Sequence, residues 1–220
     1  MPENRPTFTS RLTKKEYIAA LIYLPLHVIS LPALVAVLIF GINDDLTLNL
    51  ISYAFATLYM LLLLGRFLRR DFDALCDSPV RFIIEIGVSY GLYYLSNFVV
   101  VGILVAFNRL DNPNNGAVID MALNNRRQIF IMTVFMAPLV EELMFRAGIF
   151  GLLRRYNRPV AYAVSMLLFS VYHIWGYAMG NPSNWIYIIQ YLPVSFLLCR
   201  CYVKDLASAF PISSAPLCVK

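Results

Sequence analysis

The chain has 220 residues, of which 60% are hydrophobic and only 14% are charged. A domain of this length could not bury so much apolar surface, so the composition excludes a soluble globular protein and a disordered one. The net charge of +5 comes from basic residues that lie between apolar stretches, which does not indicate nucleic-acid binding. We therefore expect an integral membrane protein that has membrane lipid as a partner.

Six apolar stretches are long enough to cross a bilayer, and they cover residues 17–40, 46–64, 83–107, 129–153, 159–175 and 185–203. A spanning helix needs about 20 such residues, because the hydrocarbon core is about 30 Å thick. The alternating segments that are typical of a membrane β-barrel are absent from the sequence. The sequence therefore predicts an all-α, polytopic membrane bundle of about six transmembrane helices.

The polar segments define the expected domain limits. Residues 1–16 form a leader, 17–203 the membrane domain, and 204–220 a short tail. Prolines are tolerated in membrane helices, so Pro25 and Pro32 are expected to kink the first span rather than end it. Residues 108–128 are predicted to be an outer loop that contains a short helix at 119–125.

The distribution of positive charge predicts the topology. Most of the 18 Lys and Arg residues lie in the leader, in the loops that would share its side of the membrane, and in the tail. Cytoplasmic segments are enriched in Lys and Arg, so both termini are expected in the cytoplasm.

The fourth span carries three ionisable groups, Glu141, Glu142 and Arg146, in an otherwise apolar helix. Charges inside a membrane are costly and mark a functional site or a paired network. Glu142 and Arg146 are four residues apart, so they can pair on one helix face, while Glu141 points about 100° away from Glu142. An ion pair alone would leave Glu141 unexplained, and a carboxylate in a pocket of low polarity is suited to deprotonating water.

The fifth span supplies Phe169 and His173, which are also four residues apart and share a helix face. A short cytoplasmic turn joins the fourth and fifth spans as an antiparallel hairpin. We therefore predict that Glu141 and His173 face one polar cavity with their side chains within about 10 Å of each other.

Two further intramembrane groups favour structural interpretations. Glu85 follows Arg81 by four residues, which indicates an ion pair on one helix near the membrane interface. His27 has no acidic neighbour in the sequence, and a hydrogen-bonded packing histidine is the favoured interpretation.

The pattern Glu141-Glu142-x-x-x-Arg146 followed by Phe169-x-x-x-His173 resembles the first two motifs of the CPBP intramembrane proteases. That family includes the Rce1-type CAAX prenyl endopeptidases and the Abi bacteriocin-immunity proteins, and the resemblance places its core at about residues 129–203. It implies that Glu141 and His173 are catalytic, that Glu142, Arg146 and Phe169 support them, and that a prenylated or leader peptide is the substrate. We expect a bacterial plasma membrane in preference to the endoplasmic reticulum.

The sequence departs from the family at its third motif, a histidine with Asn or Asp four residues later, because the chain has only two histidines. We therefore expect a truncated or divergent carboxyl terminus and impaired hydrolysis. The cofactor is not determined: a divalent metal such as zinc has only Glu141 and His173 as candidate ligands. The alternatives are a non-catalytic membrane immunity or scaffolding protein and, with less support, a small transporter.

Overall fold

The computed structural model describes residues 12–76 and 79–203. Within these ranges the secondary structure is helical and contains no strand, which confirms the predicted all-α class. Most of the predicted leader (1–16) and the whole predicted tail (204–220) lie outside the described residues.

The helices follow the chain as α1 (Lys14–Val28), α2 (Leu31–Phe40), α3 (Asp45–Cys76), α4 (Pro79–Ala106), α5 (Pro113–Asn124), α6 (Arg126–Arg154), α7 (Arg158–Gly180) and α8 (Ile188–Val203). A 3₁₀ turn, Pro182–Tyr187, leads directly into α8. In the part of the chain that is described, five helical segments are long and apolar enough to cross a membrane. The number rises to six if the bent pair α1–α2 is one span.

The first predicted span is broken rather than kinked. The axes of α1 and α2 differ by 50° across the break between them. Ser30, at the break, has a left-handed backbone with φ 49° and ψ 49°, which ends a right-handed helix. Pro32 lies in the first turn of α2, where its missing N–H costs nothing, whereas Pro25 is accommodated inside α1.

The helix between the third and fourth predicted spans is longer than the prediction of 119–125. The backbone N–H of Asn114 donates to the Asn112 side chain at 2.9 Å, which caps the first turn of α5. Pro113 suits the first helical position because its fixed φ is already helical. The cap and the proline together start α5 six residues before the predicted position.

The central element of the bundle is α6, which packs against α1, α7 and α8. All nine residues of its segment Glu142–Phe150 are buried, as expected for a helix surrounded on every side. A Cβ at Gly148 would lie 3.3 Å from the Cβ of Ala20, so the absence of a side chain allows the close approach of α1. The two glutamates and Arg146 are therefore inside the protein rather than in lipid.

The outer surface is apolar and suits contact with lipid. Side chains that are more than two thirds exposed are found on α2, α3 and α4, among them Leu38, Phe40, Leu62 and Phe98. Such a surface is costly in water and neutral in hydrocarbon. The exposed aliphatic residues and the spanning helices together indicate an integral membrane protein.

Candidate functional site

Two wide π-helical turns flank Glu141 in α6, one at Met132–Met136 and one at Glu142–Phe150. The first turn has a local cause: Pro138 has no N–H, and its ring displaces the carbonyl four residues earlier. π-Turns are rare and are frequently found at functional sites. Glu141 and Glu142 project from this distorted stretch in different directions, and both are buried.

Glu141 faces His173, which confirms the predicted proximity. The distance from Glu141 Oε2 to His173 Nε2 is 3.7 Å. The other ring nitrogen, Nδ1, lies 2.8 Å from the Phe169 carbonyl oxygen, which can only accept a hydrogen bond. Nδ1 therefore carries a proton, and in a neutral ring Nε2 presents its lone pair to the carboxylate.

A second set of polar groups reaches Glu141 from other helices. The Tyr53 hydroxyl on α3 donates to Glu141 Oε1 at 3.4 Å. It also lies 3.1 Å from the Tyr172 hydroxyl, which in turn lies 3.0 Å from His27 Nε2. The structure thus brings both histidines of the chain near Glu141, and hydrogen bonds among Glu141, Tyr53, Tyr172 and His27 join α1, α3, α6 and α7.

Glu142 pairs with Arg146, as the four-residue spacing predicts. The distance from Glu142 Oε1 to Arg146 Nε is 3.3 Å, and the arginine side chain has no exposed surface. Arg146 Nη2 donates to Ser195 Oγ at 3.2 Å, and the guanidinium carbon lies 4.1 Å from the centroid of the Phe169 ring. A carboxylate, a hydroxyl and an aromatic face therefore surround this buried cation.

Phe169 lies between the ion pair and the Glu141–His173 pair. Its ring contacts Arg146, and its centroid lies 4.4 Å from that of the His173 ring. Its carbonyl accepts the hydrogen bond that orients the imidazole. One residue therefore provides both a support for the cation and a fixed orientation for His173.

Tyr191 covers the other side of His173, with ring centroids 4.5 Å apart in a stacked arrangement. Its hydroxyl accepts hydrogen bonds from the side-chain amides of Asn112 at 3.2 Å and Asn114 at 2.9 Å. The Asn112 amide also contacts the side chain of Gln190. This contact ties the start of α5 to α8 next to the site.

Glu85 has an ion-pair partner on another helix. Glu85 Oε2 lies 3.4 Å from Arg200 Nη1, so its ion pair connects α4 to α8. The side chain of Arg81, the predicted partner on the same helix, lies outside the described residues.

The described residues do not fit a catalytic zinc site. Such sites use three protein ligands, usually His, Glu or Cys. Among the side chains that the structure describes, no three of the His, Cys, Asp or Glu type converge on one point. Glu141 and His173 provide two ligands, one fewer than such a site uses.

The family comparison covers the helices that carry these residues. Residues 124–213 match the family model of the Type II CAAX prenyl endopeptidase Rce1-like proteins. This match confirms the resemblance inferred from the two motifs. It spans less than half of the chain and includes Glu141, Glu142, Arg146, Phe169 and His173. No curated protein and no solved structure matches the chain.

The spacing of the two motifs does not predict four side chains that lie at the site: Tyr53, His27, Tyr172 and Ser195. Tyr53 and His27 lie outside the Rce1-like match, on helices whose packing against α6 has no local signature. One signal was present: a histidine in an apolar span must find a polar partner. The identity of that partner could not be deduced from spacing.

Proposed function

We propose that the chain is an intramembrane endopeptidase of the CPBP type, in which Glu141 activates the attacking water. The observation that supports this most directly is the 3.7 Å approach of Glu141 Oε2 to His173 Nε2 in a buried site. Both atoms are hydrogen-bond acceptors when Glu141 is ionised and His173 is the neutral Nδ1–H form. A water molecule about 2.8 Å from each atom would satisfy both through its two hydrogens.

The chemistry follows from that water position. The water oxygen attacks the carbonyl carbon of a peptide bond while Glu141 Oε2 takes one of its protons. His173 Nε2 accepts a hydrogen bond from the remaining O–H and keeps the new oxygen in place. The carbon–nitrogen bond then breaks as Glu141 returns the proton to the leaving nitrogen. The products are an amine and a carboxylic acid, and Glu141 is again ionised.

The second glutamate has a different role in this proposal. Arg146 keeps a permanent positive charge beside Glu142, because arginine is not deprotonated in proteins. Glu142 neutralises that charge at 3.3 Å, so Arg146 does not compete for Glu141. Phe169 and Ser195 hold the guanidinium from two further directions. The pair therefore supports the site without taking part in proton transfer.

The proposed substrate is a peptide segment near the membrane, either a prenylated peptide or a leader peptide. The support is the match to CAAX prenyl endopeptidase Rce1-like proteins, together with a site enclosed by spanning helices. The proposed topology has both termini in the cytoplasm, since most basic residues then lie on that side. A bacterial plasma membrane is proposed because the resemblance includes the bacteriocin-immunity proteins.

The test is a cleavage assay with the purified chain in liposomes and a panel of prenylated and leader peptides, analysed by mass spectrometry. Cleavage by the native chain that Glu141→Gln abolishes would support the proposal. Glu85→Gln is the matched control, since it also removes an intramembrane carboxylate but one that pairs with Arg200. A folded chain that cleaves no peptide of the panel would contradict the proposal and favour a non-catalytic immunity or scaffolding protein.

A further inference from the structure

His27 is buried in α1, far along the chain from the two matched motifs, and its ring has aromatic neighbours on several sides. The ring centroid of Tyr53 lies 5.3 Å away in an edge-on arrangement, and that of Tyr172 lies 5.8 Å away in a stacked one. The Tyr23 ring lies 5.7 Å away on the same helix. These contacts hold the imidazole so that Nε2 points at the Tyr172 hydroxyl.

The positions of the hydrogens in this cluster follow from counting donors. Each tyrosine hydroxyl has one hydrogen to donate, and an ionised carboxylate can only accept. Because Tyr53 donates to Glu141 Oε1, its contact with Tyr172 requires the Tyr172 hydrogen. Tyr172 then has no hydrogen left for His27, so their contact requires a hydrogen on His27 Nε2.

We propose that His27 is a positioning residue for Glu141 and that it acts through Tyr172 and Tyr53. The three side chains form a relay in which every hydrogen bond is directed toward Glu141 Oε1. This leaves Oε2 oriented toward His173 Nε2, where the proposed water binds. The two oxygens of one carboxylate thereby have separate tasks: Oε1 is held, and Oε2 reacts. The effect on catalysis rests on the proposed function, whereas the hydrogen positions do not.

The hydrogen positions can be measured without any substrate. The chain has only two histidines, so ¹⁵N-histidine labelling of the full-length protein in nanodiscs gives two imidazole signal sets. His27→Gln assigns them, because it removes one set. We expect His27 to carry its proton on Nε2 and His173 on Nδ1, so the two rings are opposite tautomers. An unprotonated His27 Nε2 in the native protein would overturn the proposal.

Variants of the relay test whether the His27 Nε2 proton is hydrogen-bonded to Tyr172. Tyr172→Phe keeps the stacked ring but removes the hydroxyl, so the His27 Nε2–H signal should lose its hydrogen-bonded position. Tyr23→Phe is the matched control, since it removes a tyrosine hydroxyl from the ring neighbour that is outside the relay. A His27 signal that Tyr172→Phe does not change would show that the imidazole only packs in place.

The catalytic consequence is tested by kcat and KM in the liposome assay. His27→Leu and Tyr53→Phe should each lower kcat about 10- to 100-fold. Tyr53→Phe removes the hydrogen bond to the charged Glu141, and His27→Leu removes the donor that orients the relay toward it. KM should stay within about threefold, since the relay is proposed to act on Glu141 and not on substrate binding. His27→Gln should recover most of the loss, because its amide can donate from the same position.

The two proposals fail in different ways. If native His27 carries Nε2–H but no peptide is cleaved, the relay stands and the endopeptidase function fails. If peptides are cleaved and His27→Leu has native kcat, the function stands and the positioning role fails.

Discussion

Glu141 and Glu142 are neighbours in the sequence, yet they lie in two regions of different chemistry. Glu141 contacts two groups that carry no permanent charge: the imidazole of His173 and the hydroxyl of Tyr53. Glu142 contacts Arg146, whose charge is permanent and completely buried. One step along α6 therefore separates a carboxylate suited to proton transfer from one suited to holding a fixed charge.

The two regions also differ in which helices supply the contacting residues. Glu141 contacts Tyr53 on α3 and His173 on α7 directly, and Tyr172 connects this cluster to His27 on α1. The Glu142–Arg146 pair is formed within one helix and is completed by Phe169 and Ser195. Changes near Glu141 should therefore affect the reaction, and changes near Glu142 should affect folding.

The largest expected effect is on the rate of peptide cleavage by the Glu141→Gln variant. This change keeps the shape of the side chain and removes the base, so peptide cleavage should fall by about 100- to 10,000-fold. The free energy of unfolding in detergent should change by less than about 1 kcal/mol, because no ion pair with a permanent charge is lost. The measurements are initial rates in liposomes and the midpoint of unfolding.

Glu142→Gln is the matched control for that prediction. It should lower stability, because Arg146 then remains buried without a counter-charge. If the two glutamine variants lose stability equally and retain the same rate, the separation of roles between the adjacent carboxylates is wrong.

The next effect is on the stability of Arg146→Met, which leaves the Glu142 carboxylate buried and unpaired. Breaking a buried ion pair from one side typically costs about 3–5 kcal/mol. The double change Glu142→Met with Arg146→Met should cost clearly less than the sum of the single changes, since neither charge is then left alone. Chemical unfolding in detergent measures all three variants, and additive costs would show that the pair is not coupled.

Much of this arrangement could be predicted from the sequence, because spacing within a helix and between adjacent helices is local information. The four-residue interval predicts the Glu142–Arg146 pair, and the hairpin of α6 and α7 predicts that His173 meets Glu141. Hydropathy predicts the spanning helices, since each must be long enough for the bilayer.

The remaining contacts depend on packing that no local pattern records. Tyr53 and His27 reach the site because α3 and α1 cross α6 at particular positions and rotations. The break at Ser30 was also missed, since prolines in a membrane helix are compatible with either a kink or an end. A serine with a left-handed backbone has no signature in the sequence, so the sequence could not distinguish a kink from a helix end.

A smaller effect is expected for Phe169→Leu, which tests whether the two regions communicate. The change removes the aromatic face beside Arg146 and leaves a small cavity, so the stability should fall by about 2 kcal/mol. The backbone carbonyl that binds His173 Nδ1 remains, so the rate should fall less than in Glu141→Gln. The measurements are unfolding in detergent and initial cleavage rates. A rate loss as large as that of Glu141→Gln would show that the ring itself positions the imidazole.

The smallest effect is expected for Glu85→Gln, which compares an ion pair at the bundle edge with the buried one. Arg200 lies in the last turn of α8 and has 26% of its side chain exposed, whereas the Arg146 side chain has no exposed surface. Partly exposed pairs typically contribute about 1 kcal/mol or less, and the glutamine carbonyl can still accept from the guanidinium. Chemical unfolding in detergent should therefore show a loss of less than about 1 kcal/mol, against about 3–5 kcal/mol for Arg146→Met. Arg200→Gln is the matched control on the other partner and should behave similarly. A loss at Glu85 as large as that at Arg146 would mean that burial does not distinguish the two ion pairs.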